Sequence, residues 1–220
     1  MKQASFFNKK SEVIACGMKR FMVVYDVETA SMSRVASSFM TSDLGKTIEK
    51  FVISPNEEFI ALTSGGQYIL LLDASNKQLL HQFRMNSNVT DFSFSPDSMN
   101  LVACDAFGEV LEWDLRTMAV KDGFRDVGAY STGLITVGPN GNYLATGQPS
   151  GIVNVYPWNA TDNQVPTKTP LKQIQNLTTA ITELKFDPSG RILMASSRWK
   201  RDSVKLIHLP SLTVFANWPQ

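Results

Sequence analysis

The sequence is poor in the side chains from which catalytic and metal sites are usually built. Its 220 residues include only two His and two Cys. His81 and His208 have no acid or nucleophile at motif spacing beside them, so we interpret both as half-buried strand residues. Phosphate-binding loops, nucleophile elbows and paired-His motifs are also absent. The sequence therefore predicts a protein that is not an enzyme and that has no catalytic residue, cofactor or metal ligand.

An excess of charge of one sign and long apolar runs are missing as well. Lys and Arg number 21 and Asp and Glu number 20, a formal charge of +1, so no global field would attract nucleic acid or a membrane. No run reaches the about 20 apolar residues that a membrane helix needs, and MKQASFFNKK at the start lacks a signal-peptide core. We therefore expect no membrane partner, and we expect Cys16 and Cys104 to be small buried residues in a reducing compartment.

The chain does contain a repeat, in which an apolar run ends in a small or polar residue plus Pro and is followed by a second apolar run. Four Pro residues mark it, at steps of 41, 43 and 49 residues. This period is typical of β-propeller blades. A first copy begins at Gln3 and has Lys9 at the Pro position. The marker residues are Pro55, Pro96, Pro139 and Pro188.

A second marker confirms the phase of the repeat. Each copy is followed by an apolar strand that ends in an aromatic or large aliphatic residue. Asp usually comes next in the sequence, as in Val24-Tyr25-Asp26 and Leu71-Leu72-Asp73. Each repeat is expected to form four strands separated by Gly, Asn, Asp, Ser and Pro turns. The sequence thus predicts one all-β domain of five four-stranded antiparallel blades. The predicted repeats are approximately 1–38, 49–85, 89–126, 131–177 and 180–220.

The third repeat gives the clearest strand boundaries, and two stretches interrupt the blade length. Helical periodicity is nearly absent, so no helix longer than two turns is expected. Phe39–Ile48 lies between the first two repeats, and Pro157–Pro170 is predicted to be an exposed loop within the fourth. The strands predicted in the third repeat are Val89–Ser95, Asn100–Cys104, Glu109–Asp114 and Ala119–Phe124.

Trp113-Asp114 is the single Trp-Asp dipeptide of the kind that names WD40 repeats. It closes a third strand, and Asp105 lies in the preceding tight turn. The Gly-His pair usually found near the start of such repeats is missing, so the usual network of Trp, hydroxyl, His and Asp is not expected to form. We therefore expect packing between blades to carry the stability. Trp113 is predicted to be a core residue rather than a ligand contact.

The last two repeats carry the most specific sequence. Asn176-Leu177-Thr178-Thr179 precedes the fifth inner strand, and the segment from His208 reads His-Leu-Pro-Ser-Leu-Thr-Val-Phe. With Gly-Ile-Val-Asn-Val-Tyr from Gly151 and Ser-Phe-Ser from Ser93, these motifs resemble the U3 small nucleolar RNA-associated protein 18 family over nearly the whole chain. The resemblance implies a WD40-type β-propeller of about seven blades, of which this chain would form an open arc.

The resemblance also implies a function. Members of this family are non-catalytic scaffold subunits of the small-subunit processome in the nucleolus of the nucleus. They are needed for pre-ribosomal RNA processing and small ribosomal subunit assembly. The partners implied are other processome WD40 and scaffold proteins, the small nucleolar ribonucleoprotein and pre-ribosomal RNA. Whether RNA is touched directly is left open by the resemblance.

Candidate contact residues are cations on predicted turns. Arg198, Trp199, Lys200 and Arg201 place three cations around an aromatic ring that could stack on an RNA base while the cations meet phosphates. The alternative is a solvated turn whose Trp covers a blade edge. Two further basic turns, for which the solvated interpretation is favoured, are Lys9-Lys10 and Lys19-Arg20.

A competing function comes from another class of protein. Trp113-Asp114-Leu115-Arg116 fits the WDxR pattern of substrate-receptor subunits of cullin-type ubiquitin ligases, in which the Asp and Arg face the adaptor. Under this alternative, Asp114 and Arg116 would be the adaptor contacts. The pattern is short and does not account for the motifs of the last repeats.

Overall fold

The computed structural model describes residues 3–7, 11–17, 19, 21–36, 47–158 and 169–216, and this part of the chain contains strands and turns but no helix. The strands alternate apolar and polar residues or are apolar almost throughout, as strands covered on one or both faces require. In chain order they are β1 Gln3–Phe7, β2 Glu12–Cys16, β3 Phe21–Asp26, β4 Ser31–Ala36, β5 Lys50–Ile53, β6 Phe59–Thr63, β7 Tyr68–Asp73, β8 Leu79–Arg84, β9 Val89–Phe94, β10 Asn100–Asp105, β11 Glu109–Asp114, β12 Ala119–Arg125, β13 Leu134–Val137, β14 Tyr143–Gly147, β15 Val153–Pro157, β16 Lys172–Ile174, β17 Glu183–Phe186, β18 Ile192–Ser196, β19 Val204–His208 and β20 Thr213–Val214.

These strands form five four-stranded sheets, each built from consecutive antiparallel strands. We name them blades 1 to 5 in chain order, so that blade 1 holds β1–β4 and blade 5 holds β17–β20. The four strands predicted in the third repeat agree with β9–β12 to within one residue. The prediction of an all-β, WD40-type fold with five four-stranded antiparallel blades is therefore confirmed.

The contacts divide the chain into two compact units, Met1–Val89 and Thr90–Gln220. The first unit contains blades 1 and 2, whose facing sheets share one apolar core. The interpretation of the chain as a single domain stays a prediction. Residues buried in the core of the first unit include Ile14, Cys16 and Met22 from blade 1 and Phe51, Ile60, Leu62 and Leu70 from blade 2.

The second unit contains blades 3 to 5 and has a core on either side of blade 4. Leu144 and Tyr156 face the core shared with blade 3, which also holds Cys104. Their sequence neighbours, Ala145 and Val155, face the core shared with blade 5. Because side chains alternate along a strand, both faces of blade 4 are covered. Cys104 and Cys16 of the first unit are both buried, as predicted, and neither forms a disulfide.

The four Pro markers lie in the turns between the first and second strands of blades 2 to 5. Each turn is closed by a hydrogen bond between residues three apart, with Pro at the second position, as in type I turns. The fourth residue has a positive φ: 59° at Glu57, 59° at Ser98, 68° at Gly141 and 66° at Gly190. The closing bonds run from Glu57 N to Ser54 O (2.9 Å), Ser98 N to Ser95 O (2.9 Å), Gly141 N to Gly138 O (2.9 Å) and Gly190 N to Asp187 O (3.0 Å).

The Asp residues that close the third strands cap the turns that follow. In blades 1 to 3, Oδ1 of Asp26, Asp73 or Asp114 accepts a hydrogen bond from the backbone N–H two residues later. Hydrogen bonds within each turn stabilise the ionised carboxylate, so the pKa of each of the three carboxyl groups lies below its ordinary value. The largest cause is the bond from Thr29 N for Asp26, from the Ser75 hydroxyl for Asp73 and from Arg116 N for Asp114. The repeated Asp is thus explained by local turn structure.

The prediction of an exposed loop at Pro157–Pro170 is wrong at the start of the loop. Trp158 is buried in the core between blades 3 and 4, beside Tyr156 and Phe124. An indole is large enough that burial outweighs the polar character of the segment that follows it. Residues 159–168 of this loop, and most of the stretch predicted at Phe39–Ile48, lie outside the described residues.

Candidate functional site

The turn between β18 and β19 presents the predicted cationic cluster. Arg198, Trp199, Lys200 and Arg201 are all exposed, and 68% of the surface of Trp199 is accessible. The guanidinium carbon of Arg198 lies 5.3 Å from the centroid of the Trp199 ring, a cation–π contact. Trp199 therefore faces solvent and does not cover a blade edge. We refer to residues 198–201 as the cationic turn.

The base of the cationic turn is fixed by hydrogen bonds. Ser197 N donates to Ser203 O (2.8 Å), and Arg198 N donates to the hydroxyl of Thr182 (3.1 Å). The Thr179 hydroxyl donates to Ser197 Oγ at 2.7 Å, which joins the turn to the loop before β17. An open groove of about 520 Å³ lies beside the turn. It is lined by Thr182, Glu183, Ser196, Ser197, Arg198 and Val204.

This arrangement suits a single-stranded nucleic acid better than a small reactive substrate. An exposed aromatic ring offers a stacking face to a base, and nearby cations can meet phosphates. The groove adds hydroxyl groups, from Thr182 and Ser196 among others, that can bond a sugar or base edge. It contains one acid, Glu183, whose carboxylate lies 3.7 Å from Lys185 Nζ.

The candidate adaptor contacts lie in the turn after β11. Arg116 is exposed, and its Nη2 lies 3.3 Å from Oδ2 of Asp114. Asp114 also accepts from Arg116 N at 2.7 Å, the same turn-capping bond that Asp26 and Asp73 make in their blades. The role of Asp114 is thus accounted for without an adaptor, whereas the adaptor contact itself stays a prediction.

The other predicted residues lie on blades 1, 2 and 5 or outside the described residues. Lys19 is exposed with Nζ 5.5 Å from the Phe21 ring centroid, whereas Lys9, Lys10 and Arg20 lie outside the described residues. His81 packs against Phe83 with ring centroids 4.8 Å apart. His208 Nδ1 lies 2.7 Å from Ser211 Oγ. Both histidines are half-buried on strands, as predicted, and the described residues contain no group of His, Cys, Asp and Glu that could hold a metal ion.

A buried carboxylate that the sequence analysis missed lies between β12 and β13. Asp126 is 2% exposed and is surrounded by donors from its own loop and from blade 4. We name this group the Asp126 network. Oδ1 accepts from Tyr156 Oη (2.7 Å), Asn154 Nδ2 (2.8 Å) and Thr146 Oγ1 (2.9 Å), and Oδ2 accepts from Thr132 Oγ1 (3.0 Å) and Gln148 Nε2 (3.1 Å).

The same side chains also hold the backbone of the next residue. Val127 N donates to the Tyr156 hydroxyl at 3.0 Å, and Val127 O accepts from Asn154 Nδ2 (2.9 Å) and Gln148 Nε2 (3.1 Å). Burial, and after it the charge of Asp126, raises the pKa of Tyr156 above its ordinary value. The Asp126 network therefore fixes the start of this loop to blade 4.

The expectation that packing between blades carries the stability stays a prediction, and the Asp126 network adds polar contacts to the apolar cores of this unit. The acceptor, Asp126, ends the third repeat just before blade 4, and blade 4 supplies hydroxyl and amide donors to match it. The five donors to Asp126 each have this acceptor, whereas the buried Oδ1 of Asn154 has no hydrogen-bond partner among the described residues. Trp113 is 2% exposed, which confirms its prediction as a core residue. Asn154, a polar residue between Val153 and Val155, was the sequence signal of the network.

Nothing in the described part of the chain forms a helix of the length and apolarity required to cross a membrane. No protein-family model matches the chain. A putative BTB/POZ domain and WD-repeat protein of Acanthamoeba polyphaga mimivirus is 21% identical over 86% of this chain and 38% of its own length.

Stronger similarity is found to proteins named U3 small nucleolar RNA-associated protein 18 homolog. The Arabidopsis thaliana protein is 33% identical over 100% of this chain and 39% of its own length. The Mus musculus protein is 33% identical over 99% of the chain and 39% of its own length. The chain thus spans about two fifths of the length of these relatives. It is a WD40-repeat sequence that resembles the U3 small nucleolar RNA-associated protein 18 family over its whole length.

Proposed function

We propose that this chain is part of a non-catalytic scaffold subunit of the nucleolar small-subunit processome. In that role it acts in pre-ribosomal RNA processing and small ribosomal subunit assembly. The observation that carries the proposal is similarity over the whole chain to proteins named for their association with U3 small nucleolar RNA. A set of packed blades with many exposed turns is also the kind of surface that scaffold subunits use to hold several partners.

The partners proposed are other processome WD40 and scaffold proteins, the small nucleolar ribonucleoprotein and pre-ribosomal RNA. Direct contact with RNA is proposed at the cationic turn, where an exposed indole and three cations stand together. The near-zero formal charge of +1 limits such contact to a local patch. Protein neighbours would therefore supply most of the docking energy.

Affinity purification of the tagged full-length protein, followed by mass spectrometry and RNA sequencing, tests the role in the processome. We expect other small-subunit assembly factors and precursor ribosomal RNA to be recovered together. Recovery of a cullin adaptor without these factors would contradict the proposal. It would favour a ligase receptor that uses Asp114 and Arg116.

Ultraviolet crosslinking tests RNA contact at the cationic turn. Changing Arg198, Lys200 and Arg201 together to Glu should abolish crosslinks at this turn. Removing up to three phosphate contacts should also flatten the salt dependence of binding by a slope of about two, given roughly 0.7 per contact with a single strand. Crosslinks and a salt slope equal to those of the unchanged protein would refute direct contact there. A control that reverses the same number of charges is the exposed set Arg84, Lys172 and Arg191.

A further inference from the structure

Two exposed aromatic residues of the second unit have no role in the function described so far. Tyr130, in the loop between β12 and β13, is 96% exposed, and Phe107, in the turn between β10 and β11, is 64% exposed. Large aromatic side chains usually bury most of their surface. Two rings held this far into solvent by ordered loops are therefore candidates for contact with a partner.

The loop that carries Tyr130 is held at both ends. Asp126 lies at its start, and Thr132, which is fully buried at its end, donates to Asp126 at 3.0 Å. Ala129 N donates to Asp126 O at 3.3 Å, so the backbone between these anchors is also turned back on itself. A ring presented on a preorganised loop loses little conformational entropy when it binds.

Contacts connect this loop to the neighbouring turn of blade 3. Asp126 N donates to Gly108 O at 2.8 Å, and a Cβ atom added to Gly108 would lie 3.3 Å from Cβ of Ala129. Phe107 and Tyr130 therefore belong to adjoining turns at the same end of their strands.

Contacts also connect blade 4 to the cationic turn. Gly151, in the turn between β14 and β15, has a φ of +90°, and a Cβ there would lie 2.4 Å from Leu177 O. Only glycine permits that approach. The loop that contains Leu177 is joined to the base of the cationic turn by the bond between the Thr179 and Ser197 hydroxyls, 2.7 Å long. The loops between Tyr130 and Trp199 therefore form one continuous surface.

The charge of this surface favours a polyanion. Arg125, Arg198, Lys200 and Arg201 are exposed along it beside two exposed acids, Asp202 and Glu183, whereas Asp126 is buried within its own network. The loops from Gln148 to Ile152 and from Gln175 to Thr182 contain no charged residue and carry hydroxyl and amide groups. Aromatic rings at intervals along a cationic, hydroxyl-bearing surface are the elements that single-stranded nucleic acids bind.

We propose that Tyr130 and Trp199 are two stacking platforms for one single strand of RNA, which crosses the loops of blades 4 and 5 with its phosphates near the exposed cations. Packed sheets lie about 10 Å apart, so loops of successive blades are within reach of a few nucleotides. This inference rests on the proposed RNA contact at the cationic turn and extends it to a second base-binding position.

The test measures the affinity of the full-length protein for fluorescent oligouridines of two lengths. A strand of about twelve nucleotides, within the usual site size, can reach both platforms. Tyr130→Ala and Trp199→Ala should each weaken its binding about 5- to 100-fold, which corresponds to about 1 to 3 kcal/mol per stacked base. A strand of about three nucleotides can use either platform alone, so each single substitution should weaken its binding by less than about twofold.

Three controls separate stacking from other effects. Tyr130→Phe keeps the ring and should keep the affinity within about twofold. Tyr130→Ala removes no cation and should leave the salt slope unchanged. Tyr25→Ala removes another exposed tyrosine, on β3, and should have no effect on either strand.

Three outcomes would overturn the inference. If Tyr130→Ala binds the longer strand with unchanged affinity while reversal of the cationic turn weakens it, the second platform is refuted and the proposed RNA contact stands. If neither change weakens binding, the proposed contact fails as well. Loss of a processome protein from Tyr130→Ala in affinity purification, with RNA affinity intact, would identify the Tyr130 surface as a protein docking site and refute the platform.

Discussion

The loops that precede blades 4 and 5 are fixed to their blades in contrasting ways. The Asp126 network places five side-chain donors on one buried carboxylate before blade 4. Before blade 5, a hydrogen bond between the hydroxyls of Thr179 and Ser197 joins loop and turn. The loop before blade 4, which has more side-chain hydrogen bonds, carries the exposed Tyr130. The loop before blade 5, which has fewer, adjoins the cationic turn. The polar groups before blade 4 thus converge on one buried acceptor, whereas those before blade 5 make separate hydrogen bonds at the base of an exposed turn.

The largest expected effect is removal of the central acceptor. Asp126→Ala leaves the buried hydroxyl groups of Tyr156, Thr146 and Thr132 without their acceptor, and each such group costs about 1 to 3 kcal/mol. We expect the free energy of unfolding to fall by about 5 kcal/mol, because changes this large occur when a buried hydrogen-bond network is lost. Chemical denaturation of the purified protein measures this. A decrease below about 1 kcal/mol would show that water replaces the carboxylate at little cost.

A slightly smaller effect is expected from packing in the same unit. Trp113→Ala removes a buried indole and should lower stability by about 3 to 5 kcal/mol, with all binding activities reduced together. Comparison with Asp126→Ala shows how stability is shared between packing and hydrogen bonds. A fully stable variant that selectively loses one partner would contradict the core role of Trp113. That result would favour the alternative function as a substrate receptor of a ubiquitin ligase.

Tyr156→Phe probes one donor of the Asp126 network and its response to pH. Loss of the hydroxyl should cost about 1 to 3 kcal/mol at neutral pH, because Val127 N and Asp126 each lose a partner. The pKa of Tyr156 is raised from an ordinary value of 10.0, so the folded protein holds this proton more tightly than the unfolded chain. Its contribution is complete below pH 10 and declines as the pH rises further. Stability measured from pH 8 to 11 should therefore fall more steeply in the unchanged protein than in the variant.

Removal of a hydrogen bond before blade 5 should lower the free energy of unfolding by a smaller amount. Thr179→Val removes the hydroxyl that joins the loop to Ser197 while keeping the shape of the side chain, and should cost about 0.5 to 1.5 kcal/mol. Thermal denaturation of this variant beside Asp126→Ala tests the comparison directly. Equal losses in the two variants would mean that both loops are fixed with similar strength.

The smallest change in stability is expected at the cationic turn. Replacement of Arg198, Lys200 and Arg201 by Glu alters exposed groups, so the free energy of unfolding should stay within about 0.5 kcal/mol per substitution of its original value. The melting temperature and circular dichroism spectrum of the triple variant measure this. A large loss of stability would reveal a structural role for the turn and would invalidate its use as a test of RNA contact.

The blades could be predicted from the sequence because their signals are local. Pro at the second position of a turn and Asp at the end of a third strand each act within five residues, and both recur in phase. The Asp126 network joins residues up to 30 positions apart, so no local pattern identifies it. Its central residue is also an Asp, whereas the usual network of WD40 repeats contains a His. Asn154 inside an apolar strand indicated that a buried partner must exist, but its identity depends on which loop folds over the strand. Exposure at Tyr130 likewise depends on tertiary structure, since aromatic residues in turns are found both buried and free.

The Pro turns allow the blades to be compared as if they were variants of one another. In blades 4 and 5 the residue with positive φ is Gly141 or Gly190, whereas Glu57 and Ser98 adopt nearly the same angle in blades 2 and 3. A side chain in this conformation costs about 1 kcal/mol relative to glycine. The protein thus contains within its own repeats a template for stabilising it: Glu57→Gly and Ser98→Gly would transfer the solution of the later blades to the earlier ones. Against this gain stand the contacts that Glu57 and the buried Ser98 make and the greater freedom of glycine in the unfolded chain, so the measured change in stability compares these effects at each position.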